Sequence, residues 1–163
     1  MINYILDTVT IPPLSKKKPA QIIILCHGYG GDGNDISSLA INWRRFLPDA
    51  IFLCPNAPDV CSVNPQGYEW FDLTNEKEEI ILEKSLLAEK KLNTFLDQVL
   101  DNLQLEETNL GLVGFSQGCM MILQVGLKRL KQINCLIGYS GKIINKKHLS
   151  ENINSKPKIF LMH

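Results

Sequence analysis

Five short apolar runs punctuate the sequence, at residues 22–26, 51–54, 110–113, 135–137 and 159–162, each bounded by glycine, proline or polar turn residues. Runs of this length without polar alternation fit strands buried on both faces. Helical patterns lie between them. Ala88, Leu92, Phe95, Leu96, Val99, Leu100 and Leu103 keep the i, i+3, i+4 spacing of one helix face, with lysines and acids on the other. A second pattern starting near Gln117 is apolar almost all round, through Met120, Met121, Ile122, Leu123, Val125 and Leu127, which predicts a helix buried at the centre of the domain. Strands alternating with helices predict an α/β fold, a mostly parallel sheet with helices on both faces. Residues 4–11 alternate and suit an edge strand, while Pro12-Pro13-Leu14-Ser15-Lys16-Lys17-Lys18-Pro19 reads as an exposed turn kept solvated by its lysines.

At 163 residues, the length predicts one domain spanning 1–163. Seventeen basic side chains balance seventeen acidic ones, so no net basic field draws nucleic acid or anionic lipid, and small or neutral partners are expected. The start, Met1-Ile2-Asn3-Tyr4, lacks the charged and apolar stretches of a signal peptide, and no apolar run approaches bilayer length, so a cytoplasmic location is expected. The five cysteines are odd in number and include no Cys-x-x-Cys pair, which points to small buried hydrophobes rather than a disulfide framework or a zinc site.

Two glycine-rich loops carry the chemistry. In His27-Gly28-Tyr29-Gly30-Gly31-Asp32-Gly33 the spacing Gly28-x-Gly30-x-x-Gly33 formally matches a dinucleotide fingerprint. The next strand, however, ends in Cys54-Pro55-Asn56-Ala57-Pro58 instead of an acid for the ribose, and Asp32 and Asp35 would repel a pyrophosphate. The better reading is a loop that supplies a backbone N–H, that of Tyr29, to an oxyanion hole. Gly114-Phe115-Ser116-Gln117-Gly118 follows a strand and opens a helix, the setting in which a sharp turn presents a nucleophilic serine between small neighbours. The Gln117 amide, at the helix N-terminus, is then the second oxyanion donor.

With these residues in view, the chain resembles the carboxylesterase and acyl-protein thioesterase branch of the α/β-hydrolases. The matching stretches are Leu25-Cys26-His27-Gly28-Tyr29-Gly30-Gly31, Pro55-Asn56-Ala57-Pro58, Trp70-Phe71-Asp72, the Ser116 pentapeptide and Gly138-Tyr139-Ser140-Gly141, in family order. The resemblance implies a serine hydrolase of carboxylic esters or thioesters that uses no metal or organic cofactor. It places Tyr68, Trp70 and Phe71 near the acyl pocket, although aromatics there also fit ordinary packing.

The resemblance also implies that the run at 159–162 is followed by the triad aspartate, a helix, a last strand, the triad histidine and a closing helix, none of which occurs within residues 1–163. The domain is therefore expected to be incomplete, lacking the last strand and closing helices, with a sheet edge at 159–161 that self-associates or takes a complementing chain. His27 reads as orienting the oxyanion loop, His148 as part of a surface segment and His163 as the last residue, so none is expected to serve as base. Three readings follow: an esterase by descent that is nearly inert alone, a non-catalytic remnant or interaction protein, and the first part of a split esterase.

Overall fold

The computed structural model describes residues 4–74 and 77–163; residues 1–3, on which the reading of the chain start rests, lie outside them. The elements in order are β1 (Thr8–Ile11), β2 (Gln21–Cys26), α1 (Gly33–Trp43), β3 (Ala50–Pro55), β4 (Asp59–Val60), β5 (Tyr68–Glu69), α2 (Glu78–Leu103), β6 (Leu110–Phe115), α3 (Gln117–Lys128), β7 (Cys135–Tyr139), α4 (Lys146–Glu151) and β8 (Lys158–Met162). Six strands form one sheet in the order β1-β3-β2-β6-β7-β8, and β4 pairs with β5 in a small separate ribbon. β1 forms an edge strand, as the alternation suggests, but over Thr8–Ile11 only; it runs antiparallel to β3, and the other four pairings are parallel.

The two sides of the sheet are covered differently. On one side Ile22, Ile24, Leu53, Leu110, Leu112 and Leu136 pack against α2, α3 and α4 in a single large core. Phe95 of α2 is fully buried there and meets Tyr4 edge to face, with centroids 5.3 Å apart. On the other side Leu25, Phe52, Cys54 and Val113 pack against α1 through Ile36 and Ala40. The period of two along each strand thus sends successive apolar residues into separate cores, which is why the runs show no polar alternation.

Local chemistry sets the helix ends. Asp32 caps α1 by accepting a hydrogen bond from Asp35 N–H at 2.8 Å, so an acid that repels a pyrophosphate instead starts a helix. α2 stops at Gln104, which adopts a left-handed conformation with φ 55°. α3 is buried from Gln117 to Leu127, as its all-round apolar pattern predicts.

The last apolar run behaves differently from the others. β8 pairs only with β7, and all five of its residues are exposed, Phe160 at 54% and Leu161 at 61%. Its sequence is that of an interior strand, but among the described residues nothing covers its outer edge. The cysteines are free; four are buried, and Cys26, Cys54 and Cys119 sit within the cores as small hydrophobes. Burial raises the Cys26 thiol pKa and pushes that of Cys54 up to about 12.

Candidate active site

Ser116 occupies a strained turn between β6 and α3, with φ 52° and ψ −112°. Its N–H donates to Tyr139 O at 2.8 Å and its carbonyl accepts from Met120 N–H at 3.2 Å, so the turn is held from both sides. The flanking glycines are required by close approach. A Cβ on Gly114 would overlap the Gly118 carbonyl, and one on Gly118 would overlap the Cys26 carbonyl of β2. The elbow is thereby pressed against the start of the His27 loop, where a Cβ on Gly28 would stand 3.3 Å from Ser116 Cβ.

That loop is fixed by its neighbours. Gly30 N–H donates to Tyr68 O at 2.9 Å, Tyr68 N–H to Gly31 O at 2.8 Å, and Asn64 Nδ2 to Gly30 O at 2.8 Å. Farther out, the Tyr29 hydroxyl meets Ser62 Oγ at 2.8 Å, and Ser62 donates through its N–H and hydroxyl to the buried Glu69 carboxylate. The Tyr29 and Gln117 amides have no hydrogen-bond acceptor among the described residues, and Gln117, first in α3, has none within its helix.

His27 is 2% exposed and its two ring nitrogens are both engaged. Nε2 accepts from Ala57 N–H at 2.9 Å, which leaves the proton on Nδ1, 2.7 Å from Gly28 O. Burial lowers its pKa, so the neutral ring is favoured. It orients the loop, as its sequence position suggests. His148 lies on α4, half-buried, with Nε2 3.2 Å from Lys128 Nζ, and His163 follows β8 at the surface. Among the described residues no histidine hydrogen-bonds to Ser116.

Trp70 and Phe71 are 1% and 2% exposed and belong to the large core. Their backbone is clamped by the fully buried Gln117 side chain, whose Oε1 accepts from Trp70 N–H at 2.9 Å and whose Nε2 donates to Phe71 O at 2.5 Å. Trp70 Nε1 donates to His27 O at 3.0 Å. Gln117 therefore ties the elbow to residues 70–71, a role sequence reasoning missed; the signal was a polar residue opening an otherwise apolar helix. Next in the chain, the hydrogen bond from Lys84 holds the Asp72 carboxyl down at about 2.

A cavity of about 550 Å³ lies beside the turn on the α1 side of the sheet. Its walls include Gly28 and Tyr29 of the loop, Phe115 immediately before Ser116, and Ile36, Leu39 and Trp43 of α1. Tyr68, Trp70 and Phe71 do not line it, because burial in the opposite core and the contacts with the loop hold them elsewhere.

Comparison with known proteins matches this architecture. The solved structure of esterase PE8 superimposes with a TM-score of 0.92 at 38% identity, over 97% of this chain and 74% of that one. Acyl-protein thioesterase 1 of Schizosaccharomyces pombe is 31% identical over 145 residues, and acyl-protein thioesterase 1 of Emericella nidulans is 27% identical over 166 residues. These alignments take in 83% and 90% of this chain, which spans 61% and 69% of the two relatives. The family described as phospholipase/carboxylesterase matches residues 11–163, and the chain belongs to that family, with the fold of the α/β-hydrolase esterases.

Proposed function

We propose that this chain carries the nucleophile and oxyanion half of a serine esterase or thioesterase site. The observation that supports it most is Ser116, strained at φ 52° on the strand-to-helix turn, next to a loop whose Tyr29 amide and a helix whose Gln117 amide have no acceptor among the described residues. Ser116 Oγ attacks the carbonyl carbon of an ester or thioester, and the carbonyl oxygen takes the negative charge and accepts from the two amides. Collapse expels the alcohol or thiol and leaves an acyl-serine, which water then cleaves. No metal or organic cofactor has a part in this scheme.

The serine proton must go to a base, and His27 cannot take it while Nε2 holds Ala57 N–H. Turnover therefore calls for a base from outside the described residues. The exposed apolar edge at β8 supports delivery of that base by a complementing polypeptide, and it equally supports self-association of the chain by itself. Five free cysteines suit the reducing cytoplasm. The common cores of sheet and helices support one folding unit over 1–163.

A fluorophosphonate probe tests the assignment, with Ser116→Ala as control. Slow labelling confined to Ser116 and little ester or thioester turnover are expected of the 163-residue chain. Labelling that survives Ser116→Ala would refute the nucleophile; rapid turnover by the purified chain would refute the need for an external base. Absence of labelling even with a complementing segment present would favour the second reading, a non-catalytic interaction protein.

A further inference from the structure

The two loops that precede β2 and β3 form a surface the Ser116 site does not use. Residues 13–18 and 44–49 lie together, because Ser15 N–H donates to Pro48 O at 2.9 Å and Ala20 N–H to Asp49 O at 3.0 Å. The two segments hold five cations, Lys16, Lys17, Lys18, Arg44 and Arg45, and one carboxylate, Asp49, in a chain whose net charge is zero. Charge is thus segregated at this end without any overall excess.

Two apolar side chains project among the cations: Leu14 is 45% exposed and Phe46 is 72% exposed. The Arg45 guanidinium lies 4.9 Å from the centroid of the Phe46 ring. Lys18 donates to Gln104 Oε1, but among the described residues none of the five cations forms an ion pair. Arg44 Nε is shielded from solvent and has no hydrogen-bond partner among the described residues. Five cations without ion-pair partners and two exposed apolar side chains on one pair of adjoining loops match the boundary between lipid headgroups and acyl chains, where phosphates meet Lys and Arg and apolar side chains enter below them.

We propose that Leu14, Lys16, Lys17, Arg44, Arg45 and Phe46 dock the protein on an anionic lipid bilayer. The occupant is inferred from charge complementarity together with the apolar tips. A nucleic acid would use the cations and could stack on Phe46, but it has no use for Leu14. No helix of the described residues is long and apolar enough to cross a membrane, so the attachment is peripheral. Ser116 follows the C-terminal end of β6, whereas these loops precede the N-terminal ends of β2 and β3. The docked protein therefore keeps its Ser116 end away from the bilayer, and docking is independent of catalysis.

Co-sedimentation of the full chain with phosphatidylcholine vesicles, with and without phosphatidylserine, tests the proposal. Binding is expected only with phosphatidylserine and should weaken as salt rises. Lys16→Glu with Lys17→Glu should lower the affinity at least about tenfold. Phe46→Ser should lower it severalfold while keeping the salt dependence. Lys16, Lys17 and Phe46 are exposed at loop positions, and thermal unfolding at the parent temperature verifies that each variant folds. No binding to anionic vesicles, equal binding to neutral ones, or binding unchanged by both variants would each overturn the proposal. So would tighter binding to a single-stranded oligonucleotide than to the vesicles. Ser116→Ala should bind as the parent does, which separates this outcome from the fate of the esterase reading.

Discussion

Among the described residues one side of the sheet is roofed by α2, α3 and α4, while the other carries α1, and both are lined by apolar strands. Side chains reach full burial on both, Phe95 and Leu110 on the first and Leu25 and Phe52 on the second, and on the first a cavity of about 520 Å³ lies between the ends of α2 and α4. On the second a cavity remains beside α1, and Phe115, on the strand leading to Ser116, is 51% exposed. The difference teaches that strand composition reports how a residue is meant to be covered, and the coverage itself depends on how many helices are present to do it.

The largest effect should come from breaking the roofed side. Phe95→Ala removes a fully buried ring and should cost about 3–5 kcal/mol in urea unfolding of the chain. A loss below about 1 kcal/mol would mean that Phe95 is not sealed in a packed core in solution.

The turn between the two sides should respond to pH. Burial lowers the His27 pKa, so the folded state binds a proton less readily than the unfolded chain. The stability contributed by neutral His27 is complete above the ordinary value of about 6.5 and falls as pH drops below it, by at most about 1.4 kcal/mol per pH unit. Urea unfolding midpoints between neutral and mildly acid pH should show this slope, and His27→Gln, though less stable, should flatten it.

The smallest effect belongs to the open edge. Phe160→Lys should change stability by no more than about 0.5 kcal/mol while reducing self-association in sedimentation velocity. A penalty like that of Phe95→Ala would show that β8 is covered in solution.

Much of this was legible in the sequence because it depends on local pattern. The five runs became parallel strands, the repeat from Ala88 to Leu103 became one face of α2, and the glycines around Ser116 marked a turn that no Cβ can enter. What escaped depends on contacts between distant residues. Gln117 reads as a backbone donor, yet its side chain clamps residues 70–71 from 46 and 47 positions away. Trp70 and Phe71 carry an aromatic signature that fits a pocket or a core, and their burial across the sheet from α1 is not something the signature itself contains. Net charge averages over the surface, so it could not reveal that the two cation-bearing loops before β2 and β3 lie together.

The chain has two tryptophans, and they fall on opposite sides of the sheet. Trp43 forms part of the cavity wall, and Trp70 is sealed in the large core with its indole N–H bonded to His27 O. The protein therefore contains its own optical gauge: filling the cavity should alter the emission of Trp43, with Trp70 as a constant internal background until the fold itself gives way.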